Sequence, residues 1–386
     1  MKVVFIIGSF GWSFPARVKA MKKALEDDGH SLIIMELFSG YSDSQGIPKQ
    51  QMYGLPIETV LKNVKSEEVN HVVAFDRLTK RLDEIRPDVI LGGPVQFTYG
   101  AASLKWAKRN GKAFVGFDDS KYDTFERNAI VTWARSILIG SADAMLLPTH
   151  DWDESARIWG LKPEQLFYGY SVVDNKYWQE DVSNPLGGVL PSLYYINIVR
   201  QVEKKNLIRL VKAHNSYIKK GGSIPLVLIG SGPEHDSLVR EAQGNSKIIF
   251  LPEQKDLRGL YRNAKFMFLP SNKEETWGFT TNESMASGVP CCISRECGSS
   301  SLIEDGKNGF LFHFDSEDEI ESTFFKAEYL NGKDYANMKA NAIETISHWD
   351  LDKFVEGAYN ACLYANRNKR KLSLFAKIIL LYWKGH

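Results

Sequence analysis

Short apolar runs alternate with helix-length amphipathic segments along the whole chain. Residues 3–7 are apolar throughout and predict a strand buried on both faces; residues 16–28 carry a helical period, and residues 32–37 predict the next strand after a turn at Gly29 and His30. A long helical stretch over 67–85 stops before Pro87 and hands over to a strand at 89–91. Helix 99–109, strand 113–117, helix 127–139 and strand 144–147 follow. Strands without a polar face, separated by helices, imply a parallel sheet covered on two sides. The first half therefore reads as a doubly wound α/β domain.

Between 173 and 191 the period lapses into a polar stretch with turn formers, Asn184, Pro185, Gly187 and Gly188 among them. The alternation then restarts: strand 194–199, helix 207–219, strand 226–229, helix 235–242, strand 248–251, helix 257–263, strand 266–269. The expected organisation is one α/β domain over 1–173, a linker over 174–190, a second α/β domain over 191–364 and a basic C-terminal helix over 365–386. Two such domains would place a cleft at the carboxyl ends of two parallel sheets, where open α/β sheets bind ligands.

A chain of 386 residues with 44% hydrophobic and 25% charged positions excludes disorder and a disulfide-stapled miniprotein. A net charge of +1, from 48 basic and 47 acidic residues, offers no general field for a nucleic acid backbone, so no nucleic-acid partner is expected. The balance is uneven, because residues 366–386 hold six Lys or Arg and no acid, leaving 42 basic against 47 acidic groups in the first 365. Cys291, Cys292, Cys297 and Cys362 form neither a CxxC pair nor a disulfide framework, which fits a reducing compartment. The opening apolar run of five is too short for a signal-peptide core, and no run of 18 apolar residues occurs, so a cytoplasmic protein is expected.

Two constellations carry candidate chemistry. Arg200 closes the strand over 194–199, and Lys204 and Lys205 stand at the N-terminus of the next helix. Cations there oppose the positive end of the helix dipole, by up to about 1 kcal/mol, unless an anion is shared. A diphosphate held by Arg200, Lys205 and the first-turn amides, with Asn206 as cap, would resolve that conflict; a solvated charged loop is the plain alternative. The second constellation runs over 270–290 and holds Glu275, Trp277, Gly278, Phe279, Thr280 and Glu283 before a stop at Gly288 and Pro290. Thr280 and Glu283 fit a capping box, which alone would explain Glu283. The same stretch would also serve as an anion-facing helix start flanked by two carboxylates that accept bonds from sugar hydroxyls.

Glu275 and Glu283, separated by seven residues around an aromatic-Gly-aromatic core, together with Arg200, Lys205, the Gly230-Ser-Gly-Pro233 turn and the 302–310 segment, resemble glycosyltransferase family 4. The resemblance is strong over about 190–350 and diffuse before it. It implies the GT-B fold, with two doubly wound Rossmann-like domains facing each other across a cleft: an acceptor-binding N-terminal one and a nucleotide-sugar-binding C-terminal one. It also implies retaining transfer of a hexose from a nucleotide diphosphate sugar to a glycan or lipid-linked acceptor, in cell-envelope or extracellular polysaccharide synthesis, with no cofactor and no metal. By matching position Arg200 and Lys205 would hold the diphosphate, Glu283 the ribose, and Glu275 with the Gly278, Phe279 and Thr280 amides the donor sugar and β-phosphate; Gly232 and Glu253 would add donor contacts. Val199, Asn206 and Thr276 depart from glycines common in the family. A nucleotide-sugar epimerase of the same fold would need a paired acid and base that do not stand out, and a silent sugar-nucleotide-binding protein would not need these four residues intact.

On the N-terminal side, Asp118 and Asp119 lie where relatives often place a His near the donor sugar; they read as acceptors for sugar hydroxyls or as a cap on the next segment. As adjacent acids they lack the spacing of a metal-binding pair. Gly11 and Trp12 follow the first strand, as a tight turn with a core Trp or as an acceptor platform. His30, His150 and His214 read as structural. The tail couples Arg367, Lys369, Arg370 and Lys371 to an apolar run ending at Trp383; it reads as a helix packed back on the first domain or as a peripheral contact with anionic membrane at the inner face.

Overall fold

The computed structural model describes residues 1–11, 14–40, 54–184, 186 and 188–385. They form two compact units, one of Met1–Val173 with Leu351–His386 and one of Asp174–Asp350.

The first unit is built on parallel strands β1 (Lys2–Ile7), β2 (Ser31–Gly40), β3 (Ile57–Lys65), β4 (Val89–Gly92), β5 (Ala113–Phe117), β6 (Ala144–Leu147) and β7 (Leu166–Tyr168), in the order β3-β2-β1-β4-β5-β6-β7. Helices α1 (Phe14–Asp27), α2 (His71–Ile85), α3 (Thr98–Arg109), α4 (Ala129–Ile139) and α5 (Asp153–Ile158) connect them. β1, β4 and β5 are buried along nearly their whole length, as their unbroken apolar runs require. β3 is not predicted because its apolar residues Ile57, Val60, Leu61 and Val64 recur at helical rather than strand spacing; it lies at the sheet edge, and the expected long helix begins only at His71.

The second unit repeats the architecture with β8 (Tyr194–Ile198), β9 (Leu226–Ile229), β10 (Ile248–Leu251), β11 (Ala264–Leu269), β12 (Cys291–Ser294) and β13 (Gly309–Phe312), all parallel, in the order β10-β9-β8-β11-β12-β13. Its helices are α6 (Asn175–Gln179), α7 (Leu207–Lys219), α8 (His235–Glu241), α9 (Arg258–Arg262), α10 (Thr280–Ala286), α11 (Glu317–Tyr329) and α12 (Gly332–Ser347). Tyr195, Tyr217, Phe268 and Phe324 fuse β8 and β11 to α7 and α11 through ring contacts of 4.1–6.2 Å. His214 lies in this core, its ring bonded to Ile224 O and Asn245, and burial lowers its pKa to about 4. The four cysteines are buried free thiols.

Two expected boundaries need correction. Residues 174–190 do not begin as a free linker, because α6 packs on α10 and is also tied to α12, where Asn175 Nδ2 donates to Ile346 O at 2.7 Å, and to α9, where Trp178 meets Tyr261 edge-on at 5.7 Å. The second unit also ends at Asp350, not at 364. Helix α13 (Leu351–Arg367) joins the first unit, laying Phe354, Ala358, Ala361, Cys362 and Ala365 against its sheet. Small residues let it approach closely, and a Cβ at Gly357 would stand 1.9 Å from Tyr168 O. The basic stretch after Arg367 is a connection rather than a helix, and α14 (Leu374–Tyr382) follows it, packed on α4 with Trp383 Nε1 donating to Val95 O at 2.9 Å. Gly357→Ala should therefore lift α13 off β7 and destabilise the first unit by about 1–3 kcal/mol, read as a lowered denaturation midpoint; an unchanged midpoint would contradict the close approach.

Candidate functional site

In the second unit the chain runs from β8 to β9 and β10 on one side, then crosses to β11 on the other, so the sheet order reverses between β8 and β11. Loops leaving the carboxyl ends of such strands diverge and leave room for a ligand. After β8 come Arg200, the 3-10 turn Glu203–Lys205 and Asn206, and after β11 comes the loop 270–279.

These loops are fastened to each other. Asn272 N donates to Lys204 O at 2.9 Å, and Asn206 Nδ2 donates to Pro270 O at 3.1 Å and Phe314 O at 2.6 Å. The Lys205 ammonium pairs directly with the Glu275 carboxylate, and Lys204 Nζ lies 3.9 Å from the same oxygen. Glu275 thus supplies the anion that two lysines before a helix call for. The Arg200 guanidinium is exposed and pairs with no described residue.

Asn206 does not cap α7 through its side chain; it adopts a left-handed conformation (φ 54°), which Asn tolerates better than most residues, and its amide is committed to the two carbonyls. The turn after β9 rides on the backbone after β8, since a Cβ at Gly230 would stand 2.1 Å from Val199 O and one at Gly232 2.3 Å from Gln201 O. Gln201, which the sequence reading passed over, is buried there: its Nε2 donates to Gly230 O at 3.0 Å and its Oε1 meets His235 Nδ1 at 2.8 Å. Only its place beside Arg200 could have drawn notice to it. Glu253, after β10, accepts from Ser231 Oγ at 3.0 Å.

The Glu275 loop is clamped from behind. Gly298 N donates to Glu275 O at 3.0 Å and Ser299 N to Trp277 O at 2.8 Å, while Trp277 Nε1 donates to Asn282 Oδ1 at 2.7 Å. Gly278 has φ 98° and no room for a Cβ, with Leu269 and Cys297 at 2.9 and 3.1 Å. The expected capping box does not form: α10 starts at Thr280 itself, and the Thr280 hydroxyl is buried without a partner. Glu283 is thereby released from a capping role. It is buried, accepts from Tyr261 OH at 3.3 Å, and desolvation raises its pKa to about 7.

The N-terminal candidates lie in the first unit. Asp118 is not available to sugar hydroxyls: its Oδ1 accepts from Ser120 N and Oγ at 2.9 and 2.6 Å, and its Oδ2 pairs with buried Arg135 at 2.8 Å. The capping alternative holds for it. Asp119 is half-buried, and its carbonyl accepts from Trp152 Nε1 at 3.1 Å. Gly11 closes a turn by accepting from Phe14 N at 3.2 Å, and Trp12 lies outside the described residues. Among the described residues no three His, Cys, Asp or Glu gather as a metal would require.

Glu283 gives a pH signature of its own. Its folded pKa of about 7 exceeds its unfolded value, so the folded state holds the extra proton; stability is full below about 4.5 and falls as pH rises towards 7. Glu283→Gln should raise the stability of the ligand-free protein at pH 8, by up to about 3 kcal/mol, and change little at pH 4. Equal effects at both pH values in chemical denaturation would contradict the buried, protonated carboxyl.

Comparison with known proteins places this geometry. Residues 187–345 match the family model described as glycosyl transferases group 1. An α-monoglucosyldiacylglycerol synthase from Acholeplasma laidlawii is 28% identical over 174 residues, 41% of this chain and 44% of that one. An N-acetyl-α-D-glucosaminyl L-malate synthase from Bacillus anthracis is 35% identical over 89 residues, 22% and 23% of the two chains. The chain thus spans less than half the length of these curated relatives. Among solved structures, a Rickettsia africae glycosyltransferase covers 94% of this chain and 97% of its own with a TM-score of 0.72 at 14% identity. Anabaena HepE in complex with UDP-glucose covers 93% and 98% with a TM-score of 0.71 at 15% identity. The chain carries the GT-B fold, and its residues 187–345, where the paired lysines meet Glu275, match the group 1 glycosyl transferases.

Proposed function

We propose that the protein is a retaining glycosyltransferase that moves a hexose from a nucleotide diphosphate sugar to a hydroxyl of a glycan or lipid-linked acceptor, in cell-envelope or extracellular polysaccharide synthesis. The observation that carries this reading is the convergence of Lys204 and Lys205 on the Glu275 carboxylate at the switch point of a parallel sheet, with Arg200 unpaired beside them. Two lysines on one carboxylate, with the unpaired Arg200 in the same loop, leave positive charge for a diphosphate. UDP-glucose, the ligand in the Anabaena HepE complex, is the first donor to test.

In this reading the bond from the anomeric carbon to the β-phosphate oxygen breaks and negative charge builds on the leaving diphosphate. Arg200 and Lys205 stabilise that charge more in the transition state than in the ground state. Glu275, whose carbonyl the Gly298 amide holds and whose carboxylate the donor's diphosphate frees from Lys205, accepts from hydroxyls of the donor sugar. Glu283 accepts from the ribose. The acceptor oxygen bonds to the anomeric carbon on the face the diphosphate leaves, and its proton passes to a phosphate oxygen, so no side-chain base is needed. The reading extends to a cytoplasmic protein in peripheral contact with the membrane through its C-terminal segment; no described helix is long and apolar enough to cross one.

Lys205→Ala should lower kcat about a hundredfold or more with a much smaller change in KM for the donor, measured as release of nucleoside diphosphate. An unchanged kcat would contradict the assigned role. Conservative Lys205→Arg, which keeps the charge, should recover part of the loss.

A further inference from the structure

The C-terminal helix turns its apolar side outward. A surface helix normally buries one apolar stripe and presents polar residues to water. α14 buries only Ala376 and Leu380 and exposes Leu374 and Phe375 at 71% and 60%, with Ile378, Leu381 and Tyr382 continuing the same face one and two turns on. α4, against which it packs, does the same in its first turns: Ile130 and Trp133 are 73% and 51% exposed, and the Trp133 ring meets Phe375 at 6.0 Å. The two exposed faces therefore join into one apolar platform within a single unit.

The platform is held rigidly. Arg370 Nη1 donates to Gly140 O and Gln165 Oε1 at 2.9 and 3.0 Å, and Ser373 caps α14 by accepting from Ala376 N at 3.1 Å. Trp383 fixes the far end through Val95 O. Around it the charge has one sign on the tail. Lys369, Lys371 and Lys377 are exposed and make no ion pair with any described residue, and no acid occurs from 366 to 386. Exposed aromatic and aliphatic side chains with unpaired lysines at their border match the interface of an anionic bilayer, where apolar groups enter the acyl boundary and ammonium groups meet lipid phosphates.

We propose that α4 and α14 together form a docking platform for an anionic lipid bilayer, with Ile130 and Trp133 contributing as directly as Phe375 and Leu381. This rests on the peripheral membrane contact proposed for the tail, and adds that the tail alone is not the contact surface. The test is co-sedimentation of the full chain with vesicles of phosphatidylglycerol or of phosphatidylcholine. Wild type is compared with Ile130→Ser/Trp133→Ser, with Phe375→Ser/Leu381→Ser and with Lys369→Gln/Lys371→Gln/Lys377→Gln. The expected result is a loss of about tenfold or more in partition to phosphatidylglycerol for each variant, weak wild-type binding to phosphatidylcholine, and unchanged circular dichroism and Tm, because every altered side chain is exposed. Wild-type binding by the α4 variant with loss in the α14 variant would overturn the platform and leave the tail contact standing. Wild-type binding by both would overturn both, and equal binding to the two lipids would overturn the anionic partner. A wild-type dimer that the α4 variant turns into a monomer, with no vesicle binding by either, would make this face a contact between copies and overturn the proposal.

Discussion

The pairing of Lys205 with Glu275 joins the loop after β8 to the loop after β11, the two strands between which the sheet order reverses. Both groups are largely withdrawn from water, with 13% and 10% of the side chains exposed. Leaving either one alone would cost about 3–5 kcal/mol, so the two loops are bound to a common geometry. The bonds from Asn272 to Lys204 O, from Asn206 to Pro270 and Phe314, and from Gly298 to Glu275 O hold that geometry without using the carboxylate or the ammonium. Both charged groups therefore keep capacity for a ligand.

The surrounding charges favour an anion. Glu234, which follows the glycine turn in sequence, is pushed towards protonation by burial and by the charge of Glu203, which lessens its opposing field. Burial raises Glu283 to a pKa of about 7, so near pH 7 the neutral form is as populated as the charged one. The site thus combines cations with carboxyls, the groups that the proposed nucleotide-sugar donor would meet.

Much of this was legible in the sequence because parallel strands covered on both faces must be apolar throughout: β1, β5 and β9 declare themselves that way, and the chemistry sits where they and their neighbours end. What was not legible depends on contacts distant in sequence. Thr280 and Glu283 have the spacing of a capping box, but the loop clamped by Gly298 and Ser299 brings Thr280 inside the helix, where its hydroxyl cannot cap. Asp118 could not be told from a ligand-facing acid until Arg135, on the following helix, came to it. The return of α13 to the first unit is carried by Gly357 and a stripe of alanines, which in sequence suit either unit equally.

The central claim is that Lys205 is a diphosphate-binding cation which Glu275 occupies when no donor is present. Calorimetric titration of UDP into the wild type, Lys205→Ala and Glu275→Gln tests it most directly. The account predicts that Lys205→Ala binds UDP about tenfold or more weakly, as loss of a charge-assisted contact requires, while Glu275→Gln, freed of the competing carboxylate, binds it at least as tightly as wild type. Wild-type affinity in Lys205→Ala would contradict it.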